Sequence, residues 1–502
     1  MKLRVKNWTI IMALALCATA AFAQDQKQDT LPADANAPLQ PLNTNPNGGY
    51  SNPPIGAARG LSGPDNSQSY DPSQATPDQN TLAGATPFTL GSMQHLGNVF
   101  DPAISISQQG QSYPGSATGQ SSLSAATVLG GSLKFDRIWG RNDFSILYHG
   151  AETFNYGFGS SNPFGSGSQN YPFHDLVATQ EGDWGRWRVV LKDEFSVSPN
   201  ATFGGQGFGG PGLAAQISSQ LGSSLGNFAG TTATSQTIDT GFGMRYMNSI
   251  LGQVGYSFTR RSTITISGSY GLLHFAGAGY ISSNMVNAQA GYDYLLDPSD
   301  SISVIGTYGK ITYPGTGNIT TDYVGALAYG RKITGRLAFQ ISAGPQEIRS
   351  TGTGGVGSFN QLFASVNSAL TYQRRRSGLS FSYTRGLTGG SGVLEGATSN
   401  TFSGSVNYKI TRFWTGAING GYAMNTSLAP VGATTLKFDT WFVGASLGRQ
   451  VGRHAQINFS YGALDQNTPA SCPVTSCGIP GLQQSFGMTV NWHLLPITVS
   501  GR

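Results

Sequence analysis

The stretch Thr401-Phe-Ser-Gly-Ser-Val-Asn-Tyr-Lys-Ile410 decides the fold. Phe402, Val406, Tyr408 and Ile410 fall on one side of an extended chain. Thr401, Ser403, Ser405, Asn407 and Lys409 fall on the other. A period of two is the signature of a β-strand with unlike faces. The same alternation recurs in 454–461, where Ala455, Ile457, Phe459 and Tyr461 oppose His454, Gln456, Asn458 and Ser460. It recurs again in 263–272, where Ile264, Ile266, Tyr270 and Leu272 oppose Thr263, Thr265, Ser267 and Ser269. Segments of this kind follow one another from about residue 98 to the end. They run slightly past the roughly 9–11 residues with which a tilted strand crosses a bilayer.

The links between them sort by parity. Tight links fall at Gly140-Arg141, Gly185, Arg260-Arg261, Asp297-Pro298-Ser299, Thr334-Gly335, Arg375-Arg376-Ser377, Thr411-Arg412 and Gly452-Arg453. Between them lie long links rich in Gly, Ser, Asn and Pro, at 157–172, 199–236, 276–282, 350–359, 388–398, 426–435 and 465–482. Short turns at one end and long loops at the other are the topology of a transmembrane barrel, and a soluble sandwich has no reason to sort its loops this way. Five of the six tryptophans after the first 23 residues (Trp139, Trp184, Trp187, Trp414 and Trp492) flank tight links or end the last strand. An indole there serves both an apolar and a wet neighbour.

The expected fold class is all-β, a transmembrane antiparallel up-and-down β-barrel. Seventeen strands can be counted between Leu123 and His493. The first of these enters a tight link, so a strand of the opposite sense must precede it, and Ala103 to Gln109 is its candidate. That makes eighteen, with sixteen also compatible. Residues 236–261 parse poorly, 211–229 could form a loop helix folded into the barrel, and Asp193 interrupts the alternation of 186–198 as a bulge would.

The ends of the chain divide it further. Lys2, Arg4 and Lys6 precede an apolar run from Ile10 to Ala21, and Ala21-Phe22-Ala23 supplies a small-x-small cleavage pattern. Residues 1–23 therefore read as a signal peptide. Residues 24–97 are rich in Pro, Asn, Gln and Ser and hold too little apolar surface to fold, so they read as a disordered periplasmic segment. The barrel takes 98–502. Charged residues make up 11% of the chain against about 25% in a typical soluble protein, while glycine reaches 70 copies. A net charge of +5, without basic stretches interleaved with aromatics, does not argue for nucleic acid. Cys472 and Cys477 in an exported chain read as a short-loop disulfide on the long-loop side.

The last strand reads Ser485-Phe-Gly-Met-Thr-Val-Asn-Trp492. It resembles the C-terminal insertion signal of bacterial outer-membrane proteins, with Ser485, Gly487, Val490 and Trp492 on its four defined positions. The resemblance implies the barrel-assembly machinery as a partner and the outer membrane of a Gram-negative cell as the location, with both termini periplasmic. Ten residues, His493 to Arg502, follow the aromatic, a departure from members that end there. In size and texture the barrel looks like a porin-type channel, which implies a lipid bilayer and small polar solutes or ions as its partners. The sequence leaves the oligomeric state open.

By alternation Lys134, Asp136, Asp143, His149, Arg188, Lys192 and Glu194 face inward and are the pore-lining candidates. Opposed charges across a lumen would select among ions or polar solutes. The same residues could instead pair within the wall for structure. A hydrolase would need a nucleophile held by a histidine and a carboxylate. His174-Asp175, in an apparent loop end, is the one local pair and has no visible serine partner, so an enzyme is not expected. No metal, nucleotide or other cofactor motif is present. The arginine-rich turns, such as Arg374-Arg375-Arg376, suit either lipid phosphates or plain solvent. Passive diffusion through an open barrel is the first reading. A structural or exopolysaccharide-associated barrel without an open pore is the second.

Overall fold

A computed structural model describes residues 98–113, 122–158, 170–200, 238, 242–277, 279–352, 358–428, 435–452, 454–469, 481–494 and 497–498. The expected signal peptide (1–23), the 24–97 segment, residues 211–229 and both Cys472 and Cys477 lie outside them. Eighteen long strands run in chain order. The first nine are β1 (Val99–Tyr113), β2 (Ser122–Trp139), β3 (Asn142–Phe158), β4 (Tyr171–Trp184), β5 (Trp187–Asn200), β6 (Phe242–Ser257), β7 (Ser262–Phe275), β8 (Ser283–Leu295) and β9 (Asp300–Tyr313). The rest are β10 (Asn318–Thr334), β11 (Leu337–Thr351), β12 (Phe359–Arg374), β13 (Ser377–Thr388), β14 (Ala397–Lys409), β15 (Trp414–Ser427), β16 (Lys437–Val451), β17 (Ala455–Asn467) and β18 (Gly481–His493).

Each strand pairs antiparallel with the next, and β1 closes the ring on β18, from Ala103 opposite His493 to Ser112 opposite Gln484. The count is eighteen, and the poorly parsed 236–261 region contains β6. Closure matters because a bilayer offers no water to an open sheet edge, so every backbone N–H and C=O must find a partner within the wall. After Trp492 the chain leaves β18 at His493, and a two-residue strand, β19 (Ile497–Thr498), pairs with Val99 and Phe100 of β1. Of the described residues past the aromatic, only His493 belongs to β18.

The turn parity holds with one exception. The link between β9 and β10, at the long-loop end, is a tight turn over 314–317, closed by the Gly317 amide donating to the Tyr313 carbonyl at 2.8 Å. Gly317 sits at φ 73°, a left-handed conformation open to glycine at little cost. Two sequence expectations fail here. Strand β5 carries no bulge at Asp193: its register with β6 runs unbroken from Trp187 to Ser198 and shifts only at Asn200. Asp193 stays on its parity and points outward. His174 and Asp175 lie within β4 rather than at a loop end, so successive side chains point to opposite faces of the wall.

The two faces of the wall are chemically distinct. Outside, Ile104 and Leu327 are each 63% exposed, Leu362 74% and Phe486 63%. Left in water, each such side chain would forgo about 1.5–3 kcal/mol of burial, so an outer belt of more than forty large exposed hydrophobics can belong only in lipid. Trp139, Trp184, Trp187 and Trp492 stand exposed at the tight-turn end of that belt. Inside, Ser267, Ser269, Asn287, Gln289, Ser301, Ser303, Gln456 and Asn458 are buried. There they satisfy one another: Thr489 donates to Ser107 across the β1–β18 seam at 3.0 Å, and Ser380 pairs with Ser405 at 2.7 Å.

Ile418 and Asn419 of β15 give a direct check on this division, because they are neighbours on opposite faces midway along the strand. Arginine at Ile418 should cost about 2–4 kcal/mol in reversible unfolding from lipid, and arginine at Asn419 much less. Equal costs would mean that the faces are assigned wrongly. At the tight turn 296–299, Asp297 accepts from the Ser299 amide at 2.7 Å, the Ser299 hydroxyl at 2.9 Å and the Asp300 amide at 2.8 Å. The Ser299 amide, first among these, holds its carboxyl below the usual carboxylate range. A depressed folded-state pKa stabilises above the unfolded value of about 3.9 and is lost as pH falls through the lower folded value. Amide exchange at Ser299 and Asp300, measured between pH 6 and 3, should rise relative to other turns at the acid end, and Asp297→Asn should abolish that difference.

Candidate functional site

The inner wall is unevenly charged. Five of the pore-lining candidates pair along their own strands or within one hairpin. Lys134 Nζ lies 3.2 Å from Asp136, Lys192 Nζ lies 3.7 Å from Glu194, and Arg188 meets Glu181 at 2.5 Å. The register brings the rest alongside. Asp101 of β1 stands opposite Lys134, Asp143 of β3 opposite Glu181 of β4, and His149 opposite both Ser132 and Asp175. Val177 and Thr179 of β4 face Glu194 and Lys192 of β5. All seven candidates thus sit on the inward parity of three strands, β2, β3 and β5, and β4 between them adds Asp175 and Glu181.

Sequence reasoning missed four members of this stripe. Asp101 lies in a strand whose start was placed too late. Asp175 reads from the sequence as a loop-end residue but lies within β4. Glu181 sits beside a tight link. Arg245, buried and donating to Ser198 at 2.8 Å, lies in the stretch that parsed poorly. The stretch of wall from β14 to β18, which returns to β1, presents Ser403, Ser405, Asn407, Thr440, Gln456, Asn458 and Thr489 to the interior. The inner wall is therefore ionic along β2 to β5 and mainly hydrogen-bonding along β14 to β18.

Toward the long-loop end the polar interior gives way to an apolar collar. Met285, Ile311, Tyr313, Ile348, Leu387 and Leu428 form one buried cluster, with Ile281, Phe359 and Phe363 against it. Ile238, Leu394, Ala397, Leu436 and Phe438 form a second. The link between β13 and β14, residues 389–396, lies among them. Its Gly392 carbonyl accepts from the Ile281 amide at 2.8 Å, its Gly396 carbonyl from the Leu428 amide at 3.2 Å, and its Glu395 carboxylate from the Asn318 side-chain amide. Ile281 precedes β8 and Asn318 opens β10, so the link runs inside the wall from one group of strands to another and fills part of the mouth.

Three glycines allow that path: Gly390, Gly392 and Gly396 have φ of 77°, 82° and 83°. A Cβ on Gly392 would stand 2.3 Å from the Phe275 ring. In the sequence, the one sign of an inward seat is the apolar pair Val393-Leu394 inside an otherwise polar, glycine-rich link.

The residues of the insertion-signal resemblance split by face. Ser485 and Gly487 have the inward parity, whereas Val490 and Trp492, the latter 54% exposed, have the outward one.

No protein-family model matches this chain, and no curated protein resembles it. Among solved structures, OpdQ of Pseudomonas aeruginosa is 10% identical, with 79% of this chain and 99% of that chain covered and a TM-score of 0.38. OccK2 (OpdF) of Pseudomonas aeruginosa in complex with glucuronate is 8% identical, with 80% and 99% covered and a TM-score of 0.39. OccAB2 of Acinetobacter baumannii is 8% identical, with 79% and 98% covered and a TM-score of 0.40. Likeness so remote leaves solute and mechanism to the residues themselves.

Gly392→Val both forces a left-handed backbone on a β-branched residue and collides with Phe275. It should unseat the 389–396 link while leaving the wall intact. Proteolysis of folded protein should then cut within 389–396 in the variant and spare the wild type, with an unchanged heat-resistant barrel band on gels. Equal resistance of the two would show that the link is not held by this seat.

Proposed function

We propose that this protein is an outer-membrane, porin-like channel for passive diffusion of small polar solutes or ions, with its tight turns and both termini in the periplasm. One observation carries the reading: a closed eighteen-stranded wall whose inner face is mostly polar, charged along β2–β5 and mainly hydrogen-bonding along β14–β18, with apolar inserts such as Ile305, Ala326 and Ala328. A barrel of this strand number is wide enough for an aqueous path, and a polar lining keeps water in it. Lys134, Asp136, Asp143, His149, Arg188, Lys192 and Glu194 line that path as alternating charges. A polar solute can exchange its hydration for them on one side and for hydroxyls and amides on the other. The final strand, carrying Ser485, Gly487, Val490 and Trp492, serves recognition by the barrel-assembly machinery. Catalysis has no support in this lining, where the one His-carboxylate contact by register, His149 beside Asp175, has serines but no organised nucleophile around it.

The reading without an open pore draws on a different observation, the apolar collar and the link 389–396 inside the mouth. The two separate in planar bilayers. Purified wild-type protein should insert with stepwise conductance. Deleting residues 390–395 should raise the step size, because the link narrows the path without sealing it. Silence from the wild type, with conductance appearing only on deletion, would make the mouth a plug. Silence from both would end the channel reading. Neutralising Lys192 and Arg188 to Gln together should shift the reversal potential in a salt gradient toward cation preference, since the stripe then keeps all its carboxylates and only Lys134 and Arg245 of its lysines and arginines.

A further inference from the structure

The tight-turn end of the barrel is charged unevenly. From Leu337 onward the sequence holds four carboxylates, Glu347, Glu395, Asp439 and Asp465, and all four lie toward the long-loop end. Six cations of the same stretch gather at the other end. Arg374, Arg375 and Arg376 make the link between β12 and β13. Lys409 and Arg412 flank the link between β14 and β15, and Arg449 stands two residues before the end of β16. All but Arg449 are exposed, and among the described residues none of those five has a carboxylate partner. Elsewhere on this rim acids accompany the bases. Asp183 precedes Arg186 at the link between β4 and β5, and Asp300 lies 3.6 Å from Arg331. Like charges gathered on one arc repel one another, so the arc is most stable with anions against it.

Apolar side chains stand between these cations. Ile410 is 45% exposed, Phe413 49% and Val451 44%. The Arg412 guanidinium lies over the Phe413 ring, 4.6 Å from its centroid. The Arg449 guanidinium lies over Trp414, its partner in the β15–β16 register, at 5.2 Å. A guanidinium held by its flat face keeps its N–H groups in the plane, where they fit the oxygens of a phosphate two at a time. A ring beside a cation suits the boundary between hydrocarbon and headgroups. A soluble polyanion would meet the charges and leave Ile410, Phe413 and Val451 in water. A lipid meets both.

We propose that the tight-turn arc from β12 to β16 is a binding surface for anionic phospholipid. The headgroup phosphate lies against Arg412 and Arg449, and the upper acyl chains lie against Ile410, Phe413 and Val451. Successive tight links are two strands apart, about 10 Å across the hydrogen-bonding direction. Arg374, Arg375 and Arg376 therefore serve a neighbouring headgroup and add to the field that draws anionic lipid to the arc. The inference needs the barrel to lie in a bilayer and does not need an open lumen.

The test is native mass spectrometry of the full chain, purified in uncharged detergent and mixed with phosphatidylglycerol or phosphatidylcholine of the same acyl chains. The wild type should retain phosphatidylglycerol in preference, and added salt should weaken that preference. Each arginine beside the headgroup is expected to contribute about fivefold, or ~1 kcal/mol. Arg412→Gln with Arg449→Gln should therefore lower the preference by about fivefold or more, while the barrel still resists heat on gels. Arg374→Gln with Arg376→Gln, in a link without ring contacts, should act in the same direction and serves if the first pair fails to fold. Arg385→Gln with Lys437→Gln removes the same charge at the long-loop end and should change nothing. Equal retention of the two lipids by the wild type would overturn the proposal, as would an equal loss in the long-loop pair. Binding of soluble polyphosphate, lost with Arg412 and Arg449 and unaccompanied by any lipid preference, would make the arc a site for a soluble polyanion and overturn it too.

Discussion

A bilayer interior supplies no hydrogen-bond partner, and this constraint organises the molecule. Once the backbone has to satisfy itself, a sheet must close, and here β1 is held on one side by β2 and on the other by β18. Closure with every pair antiparallel fixes an even number of long strands, the alternation of links between two ends, and the division of every strand into a lipid face and an interior face. The outward side chains then need only be apolar, which Ile, Leu, Val, Phe and Tyr supply without a conventional core.

The interior answers to a second requirement, that polar groups withdrawn from bulk water still be paired. The wall meets it in two chemistries. From β13 round to β18 it uses mostly short neutral side chains, such as Ser382 with Ser403 at 2.5 Å and Thr440 with Gln466 at 3.1 Å. From β1 to β6 it uses ions, most of them paired to a residue two along the same strand or across one hairpin, where the strand period puts both on the same face. A carboxylate and an ammonium two residues apart neutralise each other locally, as Lys134 does with Asp136 and Lys192 with Glu194.

The mouth is built on a third principle. At the long-loop end the strand tips bring Tyr313, Ile348 and Met285 to the interior, and an apolar interior surface at the edge of water attracts a cover. Residues 389–396 provide it. The glycines there relax the backbone enough for Val393 and Leu394 to turn inward, and Glu395 is left to bond Asn318 at the rim. The loop therefore fills part of the mouth by packing, whereas the stripe below it is built of charged groups.

Alternation, the sorting of links and the girdle tryptophans were legible in the sequence because each is a local property of the chain. Period two puts Phe402 and Ser403 on opposite faces whatever the neighbours are, and a tight turn such as Gly140-Arg141 reverses the strand without help. The inward parity of Lys134 and Lys192 came from the same rule. What the chain could not show by itself is everything that depends on strands meeting. Asp101 joins Lys134 only through the β1–β2 register, and Asp175 joins His149 only because 171–184 is strand throughout. The link 389–396 gains its inward seat from Phe275, Ile281 and Asn318, which lie more than seventy residues away in sequence. Asp193 is the sharpest case. Read along the chain it is a break in a pattern. Only the continuous pairing of β5 with β6 shows that the pattern is intact and that a carboxylate faces lipid, because the face of a side chain is set by register, and register is a property of two strands rather than one.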